Sequence, residues 1–220
     1  MKKSVLNSLA AALVVPAVML ADSVRFDQTA AESSAFSKTT SVPGVPELGP
    51  CAGIVPLAIS IVPPAEFPGP DWDVYGVRLN IFVGEHRNVG FVDVGVLGNI
   101  VNGNLTGVQL AGIYNRVGSS DGAIEAACIM NDVRHDFCGV QLGLVNRVGG
   151  DMEGLQAGVI NMTQDGAGIQ MGLFNRAERF SGLQIGVANY AYQLEGVQIG
   201  VFNVVEDSNI PFMPVLNAAF

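Results

Sequence analysis

The sequence is poor in charged residues, and basic residues are the scarcest of them. Charged residues make up 14% of the 220-residue chain, and 11 Lys and Arg stand against 20 Asp and Glu, which gives a formal net charge of −9. A protein that binds nucleic acid needs a face rich in Lys and Arg to displace the counterions of the phosphates. The composition therefore predicts that the chain has no nucleic-acid partner.

Residues that catalyse reactions or ligate metals are also few. The chain has two histidines, His86 and His135, which we expect to be exposed in separate connecting segments, and three cysteines whose spacing fits no zinc pattern. It carries no G-x-S-x-G, H-E-x-x-H or P-loop motif. We therefore predict a non-enzymatic protein without catalytic residues, cofactor or metal. Of Cys51, Cys128 and Cys138, the last two are the better candidates for a disulfide, the alternative being two small buried thiols.

The single long hydrophobic run of the chain is at its N-terminus. Lys2 and Lys3 precede an apolar stretch from Val5 to Leu20, and Ala21 suits the residue before a cleavage site, as in a secretory signal peptide. We expect export with cleavage, and an uncleaved membrane anchor is the alternative. No later stretch approaches the roughly 18 uninterrupted apolar residues that a membrane-spanning helix needs.

Changes in composition divide the rest of the chain. A segment rich in Ser, Thr and Ala and then in Pro and Gly has too little apolar surface to offset the entropy of ordering it. The predicted organisation is a signal peptide over 1–21, a flexible linker over 22–52, an N-terminal cap strand and Pro-rich segment over 53–75, a β-repeat domain over 76–209 and a closing strand over 210–220.

A short repeat dominates the second half of the sequence. Its first spacing is 15 residues and the next three are 14, and such regular self-similarity is the signature of a repeat architecture. Four divergent copies precede it, at 76–82, 91–99, 107–115 and 122–131. The clean copies are GVQLGLVN (139–146), GLQAGVIN (154–161), GIQMGLFN (168–175), GLQIGVAN (182–189) and GVQIGVFN (196–203).

Apolar and polar residues alternate within each copy. If the first Gly is position 1, positions 2, 4 and 6 are mostly Val, Leu, Ile or Met, and this period of two predicts a half-buried β-strand. Position 3 is polar in every copy, and position 8 is an Asn, which tolerates the left-handed backbone region and caps turns. The candidate site residues, a possible ligand face or structural ladder, are Arg78, Asp93, Gln109, Gln141, Gln156, Gln170, Gln184 and Gln198 at position 3, and Asn146, Asn161, Asn175, Asn189 and Asn203 at position 8. The most divergent copy has Glu125 at position 3.

Two all-β architectures accommodate this pattern. The favoured one is a parallel β-solenoid with one coil per 14-residue repeat, with positions 2, 4 and 6 in the core, position 3 as an outward Gln ladder and position 8 as an Asn ladder at a corner. The alternative is an antiparallel outer-membrane β-barrel of about ten strands, with apolar residues facing lipid and a C-terminal Phe220 typical of such proteins. A soluble antiparallel sheet is a third arrangement. Connections of equal length favour the solenoid, because antiparallel strands would repeat in pairs.

The repeats and their flanks resemble a family of exported bacterial surface-repeat proteins of uncharacterised function. The resemblance covers about residues 55–220 and rests on the Gly-Leu-Gln-x-Gly-Leu-x-Asn octets, IVPPAEFP (61–68), DVYGVRLNIF (73–82) and PVLNAAF (214–220). The chain departs from the pattern at 122–131, where the Gln and the second Gly are lost. The resemblance implies an exported protein of the cell envelope, and it brings no catalytic or binding residues.

Together these observations predict a non-enzymatic repeat protein of the bacterial cell envelope with a structural or adhesive role. A channel or scaffold role in the outer membrane is the alternative. The expected partners are an envelope glycan, another surface protein or the outer membrane, and self-association through an open sheet edge is also expected. Of these features, the row of Gln side chains is the sequence's best candidate for a ligand surface.

Overall fold

The structure is a computed structural model that describes residues 53–220. The predicted signal peptide, the predicted linker and Cys51 lie outside the described residues. Between 53 and 220 the chain is all β, with fourteen strands, and no helix there has the length and apolar character to cross a bilayer. The strands are β1 Ile54–Val62, β2 Ala65–Phe67, β3 Asp73–Asn80, β4 Val83–His86, β5 Val89–Gly95, β6 Gly98–Ala111, β7 Tyr114–Ala127, β8 Met130–Val133, β9 Phe137–Leu142, β10 Val145–Ala157, β11 Ile160–Met171, β12 Phe174–Ile185, β13 Ala188–Val205 and β14 Phe212–Ala219.

Successive repeats stack in parallel and in register. Gly154 pairs with Gly168, and Gly168 pairs with Gly182, so that each residue lies beside its equivalent one repeat later. The result is a parallel β-solenoid of about ten coils, which confirms the predicted fold class. The antiparallel arrangements kept as alternatives are wrong, because every neighbouring pair from β3 to β13 runs in the same direction. At about 4.8 Å per coil, the stack is on the order of 45 Å long.

Each coil has two straight segments joined by a tight turn and a gentler bend. In the coil that begins at Gly154, the first segment ends at Ala157, Gly158 and Val159 form the tight turn, and the second segment begins at Ile160. The bend follows the second segment, where the pairing register shifts between Val148 and Asp151 in the preceding coil. Bends at this place absorb the difference between 14-residue and 15-residue repeats without disturbing the paired segments.

The two ends of the stack are built differently from its middle. β1 pairs in parallel with β3 and forms the first coil, and the short β2 folds back against β1 in an antiparallel pair. At the other end, β14 reverses direction and pairs antiparallel with β13, where Asn217 lies beside Gln198. Neither end therefore presents a complete parallel coil to a neighbouring molecule.

The predicted assignment of inner and outer faces is wrong. Gln156, Gln170 and Gln184 are fully buried, whereas apolar side chains such as Leu142 and Met171 at position 4 are exposed. A period of two separates the faces of a strand but does not say which one turns inward. On the inner face, Gly at positions 1 and 5 lies on either side of the Gln. The interior of a 14-residue coil is narrow, and one amide side chain between two glycines fits in it. Branched apolar side chains at positions 2, 4 and 6 point outward instead.

The apolar core occupies the other half of each coil. Most of its side chains come from position 10 and from the residue two places before the next position 1, where the sequence pattern is weaker. One cluster continues along the first six coils, and a smaller cluster of Ala177, Phe180 and Ala191 with Leu194 lies in the coils that begin at Gly168 and Gly182. The larger cluster comprises Ala58, Val74, Val89, Val101, Leu105, Val117, Ala123, Val133, Phe137, Val148 and Met152.

Glycine at position 1 is required by both backbone conformation and space. Gly168 has a φ of +130°, and a Cβ there would lie 2.1 Å from the carbonyl oxygen of Gly154 on the preceding coil. The same geometry recurs at Gly182 against Gly168 and at Gly196 against Gly182. The column of glycines thus lets neighbouring coils approach at sheet spacing through a left-handed backbone.

Gly168→Ala is expected to lower the free energy of unfolding by at least about 2 kcal/mol, because it adds left-handed strain and a backbone clash. Thermal unfolding followed by circular dichroism measures the loss. Gly69→Ala is the matched control, since that glycine has an ordinary φ and open space around its Cβ position. Equal melting temperatures for the two variants would contradict this account of position 1.

Candidate functional site

From Gln141 to Gln198 the position-3 glutamines form one continuous hydrogen-bonded ladder inside the solenoid. The Nε2 of Gln156 donates to the Oε1 of Gln141 at 2.9 Å, and Gln170 donates to Gln156 at 2.8 Å. Gln184 and Gln198 continue the series at 2.7 and 2.8 Å. Each amide therefore donates toward the N-terminal end of the stack, and we call this series the Gln ladder.

A second ladder runs parallel to the first at position 8. The Nδ2 of Asn146 donates to the Oδ1 of Asn161 at 2.9 Å, and it also donates to the carbonyl oxygen of Ala157 in the next tight turn at 2.9 Å. These side chains donate toward the C-terminal end, opposite to the Gln ladder. Sequence analysis missed three members, Asn99, Asn115 and Asn131, although each is the last residue of a divergent copy of the repeat. The Asn ladder comprises Asn99, Asn115, Asn131, Asn146, Asn161, Asn175, Asn189 and Asn203.

Burial removes both ladders from consideration as ligand surfaces. The ladder side chains have relative accessibilities of at most 2%, and most of their amide groups hydrogen-bond to neighbouring coils. A ligand outside the rod would therefore meet none of these amides. Their hydrogen bonds instead hold adjacent coils in register and satisfy the carbonyl groups of the tight turns.

The N-terminal end of the Gln ladder is closed by a buried ion pair. Asp93 accepts a hydrogen bond from Gln109 Nε2 at 2.7 Å. It also accepts one at 2.7 Å from Nε of Arg78, which lies on the preceding coil. Arg78 and Asp93 are fully buried on adjacent coils, and Asn80 donates a further bond to Asp93 at 2.9 Å. A carboxylate only accepts hydrogen bonds, so it terminates a column whose donors all point toward it.

His86 is buried beside this ion pair, and the prediction that it is an exposed connector residue is wrong. Its Nδ1 lies 3.2 Å from Nη1 of Arg78 and 3.8 Å from Glu66 Oε2. Burial, together with the positive charge of Arg78, lowers the pKa of His86 to about 4, so the ring is neutral at pH 7. Burial raises the pKa of Glu66. The cluster is fully buried, whereas His135 is exposed and lies three coils further along the stack.

Both cysteines within the described range are free thiols, so the proposed Cys128–Cys138 disulfide does not form. Cys128 is exposed near a tight turn, and Cys138 is partly buried near the start of β9, three residues before Gln141 of the Gln ladder. The two sites lie at opposite ends of the first straight segment. In residues 53–220 no group of three or more His, Cys, Asp or Glu side chains is arranged to hold a metal ion.

Glu125 replaces glutamine in the middle of the Gln ladder. Gln141 donates to its Oε2 at 3.1 Å, but its Oε1 and the Oε1 of Gln109 on the preceding coil are both buried without a hydrogen-bond partner. Gln109 and Glu125 are paired on adjacent coils, so a proton on Glu125 would provide the O–H donor that Gln109 lacks. Burial raises the pKa of Glu125 to about 7, with the negative charge of Asp132 contributing in the same direction.

The outer surface of the solenoid has two chemically different sides. Outward side chains at positions 2, 4 and 6 are apolar in coil after coil, with an exposed fraction of 42% at Leu142, 45% at Met171 and 41% at Ile199. We call these three columns the apolar face. Its exposed members include Leu57, Ile59, Val77, Leu79, Ile81, Val92, Val96, Leu110, Ile113, Ile124, Leu142, Leu144, Ile169, Met171, Leu173, Val187, Ile199, Val201 and Leu216.

Charged residues are collected on the second segment and the bend, which we call the charged face. Arg147 pairs with Asp132 at 2.9 Å, and Arg179 pairs with Asp165 through two hydrogen bonds. An open groove of about 1020 Å³ follows the bends and is lined by acidic groups that include Asp151 and Glu195. No charged side chain occupies positions 2, 4 or 6, so the division between the two faces is complete.

Comparison with known proteins adds no relative: the chain matches no protein-family model, no curated protein and no solved structure. The resemblance to surface-repeat proteins therefore stays a prediction, and the functional argument rests on the two faces and the buried ladders.

Replacement of one ladder amide tests the structural role of the ladder. Gln170→Leu removes the acceptor of Gln184 and the donor to Gln156, and each buried polar atom left unpaired costs about 1–3 kcal/mol. We expect a loss of about 2–4 kcal/mol in the free energy of unfolding, measured by urea denaturation. Gln164→Leu, at an exposed position, is the matched control. A variant at position 170 as stable as the control would contradict the role assigned to the ladder.

Glu125 makes stability depend on pH. The unfolded side chain ionises near 4.5 and the folded one near 7, so between these values the folded chain holds a proton that the unfolded chain has released. Stability therefore falls as the pH rises from about 4.5 to 7, by an amount on the order of 3 kcal/mol, and levels off above. Urea denaturation at pH 5 and pH 8 measures the fall.

Glu125→Gln is expected to restore the donor to Gln109, raise stability at pH 8 and flatten the pH profile. Glu153→Gln, an exposed carboxylate, is the control and should keep the wild-type profile. An unchanged pH dependence in Glu125→Gln would show that another group is responsible.

Proposed function

We propose that the protein is an exported, non-enzymatic scaffold of the bacterial cell envelope that docks through the apolar face of its solenoid. The observation that carries this proposal is the separation of the two faces. Three apolar columns run the length of the stack, and the charged residues lie elsewhere on the coil. Exposed apolar patches of this extent mark interaction surfaces in soluble proteins.

A scaffold role fits the way polar groups are used inside the rod. Within the described residues, the amides and the one buried His are engaged between coils, and the acidic groove brings together no metal-ligand set. Repeats that contact only their neighbours produce a rigid surface whose spacing is constant along its length. Such a surface suits a partner that is itself flat and extended.

An adhesive role now depends on a different surface from the one predicted. The Gln row is inside, so substitution of Gln141, Gln170 or Gln184 by a bulky charged residue would unfold the coil rather than remove a ligand contact. Binding that depends on the outside of the rod instead involves the apolar face or the acidic groove. Of these, the apolar face is the larger and the more regular.

Export is supported by the basic, apolar and small-residue regions of residues 1–21. The full chain, expressed with a C-terminal tag in a bacterial host, should appear in the envelope fraction, and N-terminal sequencing should begin at Asp22. Leu13→Arg interrupts the apolar stretch and should leave the full-length chain in the cytoplasm. Wild-type protein that stays in the cytoplasm with Met1 retained would overturn the envelope assignment.

A further inference from the structure

We propose that the apolar face is a self-complementary interface through which two copies of this chain pack as a dimer. This inference rests on the docking role proposed above and names the partner. Positions 2 and 4 lie on one straight segment, so the face is the outer side of a parallel sheet and not a curved edge. Two such faces pack in the manner of a β-sandwich, with the sheets about 10 Å apart.

The size of the face matches what a stable dimer needs. Positions 2 and 4 lie on the straight segment and position 6 lies in the adjoining tight turn. At about 3.3 Å per residue, the three columns span at most roughly 20 Å with their side chains. Over a stack on the order of 45 Å long, that width gives up to about 900 Å² per copy. A standard protein–protein interface buries about 800 Å² per partner, so one face is large enough without any contribution from the charged face.

The composition of the face suits a second copy better than a lipid surface. Proteins that lie on a bilayer combine apolar residues with basic side chains and Trp at the edges. All three Lys of the sequence precede residue 39, and residues 53–220 contain 16 acidic residues against seven Arg. One long edge of the face carries the exposed carboxylates Glu153 and Glu195, which anionic headgroups would repel. A second copy presents only apolar columns to the centre of the interface.

The geometry of the rod also explains why association stops at two. The face lies along the side of the stack, and a two-fold arrangement covers it completely in both copies. The ends are closed by the β1–β2 hairpin and by the antiparallel β14, whose Pro214 removes one backbone donor from the outer edge. Growth into a filament would need an open end, and these caps provide none.

Sedimentation equilibrium of the purified full-length protein tests the proposal. We expect a dimer at micromolar concentration in detergent-free buffer. Leu142→Glu combined with Met171→Glu places two charges in the centre of the interface and should weaken association by at least about 100-fold. The matched control is Tyr192→Glu, which replaces an exposed large side chain (48% accessible) on the charged face and should leave the dimer intact. Circular dichroism should show the same β content in all three proteins.

The contrary outcomes separate this proposal from the docking role on which it rests. A wild-type monomer that floats with neutral phosphatidylcholine vesicles, with flotation lost in the double variant, would overturn the dimer and keep the apolar face as a docking surface for lipid. A folded dimer that survives the double substitution would place the interface elsewhere. A wild-type monomer that ignores the vesicles would overturn both the dimer and the docking role.

Discussion

The hydrogen bond between identical side-chain amides on adjacent coils is the interaction on which the rest of this structure depends. The side-chain amide of a Gln at position 3 donates to the equivalent Gln on one neighbouring coil and accepts from the Gln on the other. The Asn at position 8 does the same and also donates to a carbonyl group at the tight turn. Because the bond requires the same residue at the same height, it fixes the register of neighbouring coils, while the bends accommodate repeats of different length. A coil built this way is stable only in the company of its neighbours.

This use of the interior determines what the exterior becomes. The amide side chains fill the middle of the coil, and the apolar core fills the region near the bend. No interior space is left for the apolar side chains at positions 2, 4 and 6, which therefore point outward. Water-exposed Leu, Ile and Val are the result. The apolar face is thus the outer counterpart of the buried ladder, on the opposite side of the same strand, and its regularity is inherited from the ladder.

The sequence pattern predicted the parallel stack but reversed its inside and outside. Equal connections and a period of one strand were sufficient for the solenoid, because they reflect the chain's path and not its burial. Hydrophobicity alone placed Leu183 inside and Gln184 outside, and only the coil's width and the flanking glycines show otherwise. The burial of His86 could not be predicted from the sequence either, because its partners Arg78 and Glu66 come from other strands. Glu125 was visible as an irregular member of the repeat, but its raised pKa comes from its burial, and the sequence pattern had placed this column outside.

The opposite directions of the two ladders have an electrical consequence. Every amide in the Gln ladder is oriented one way along the rod and every amide in the Asn ladder is oriented the other way. Either column alone would add its dipoles head to tail, as the peptide groups of a helix do. Side by side in one narrow interior the two columns largely cancel, so the solenoid can lengthen by whole repeats without accumulating a field between its ends.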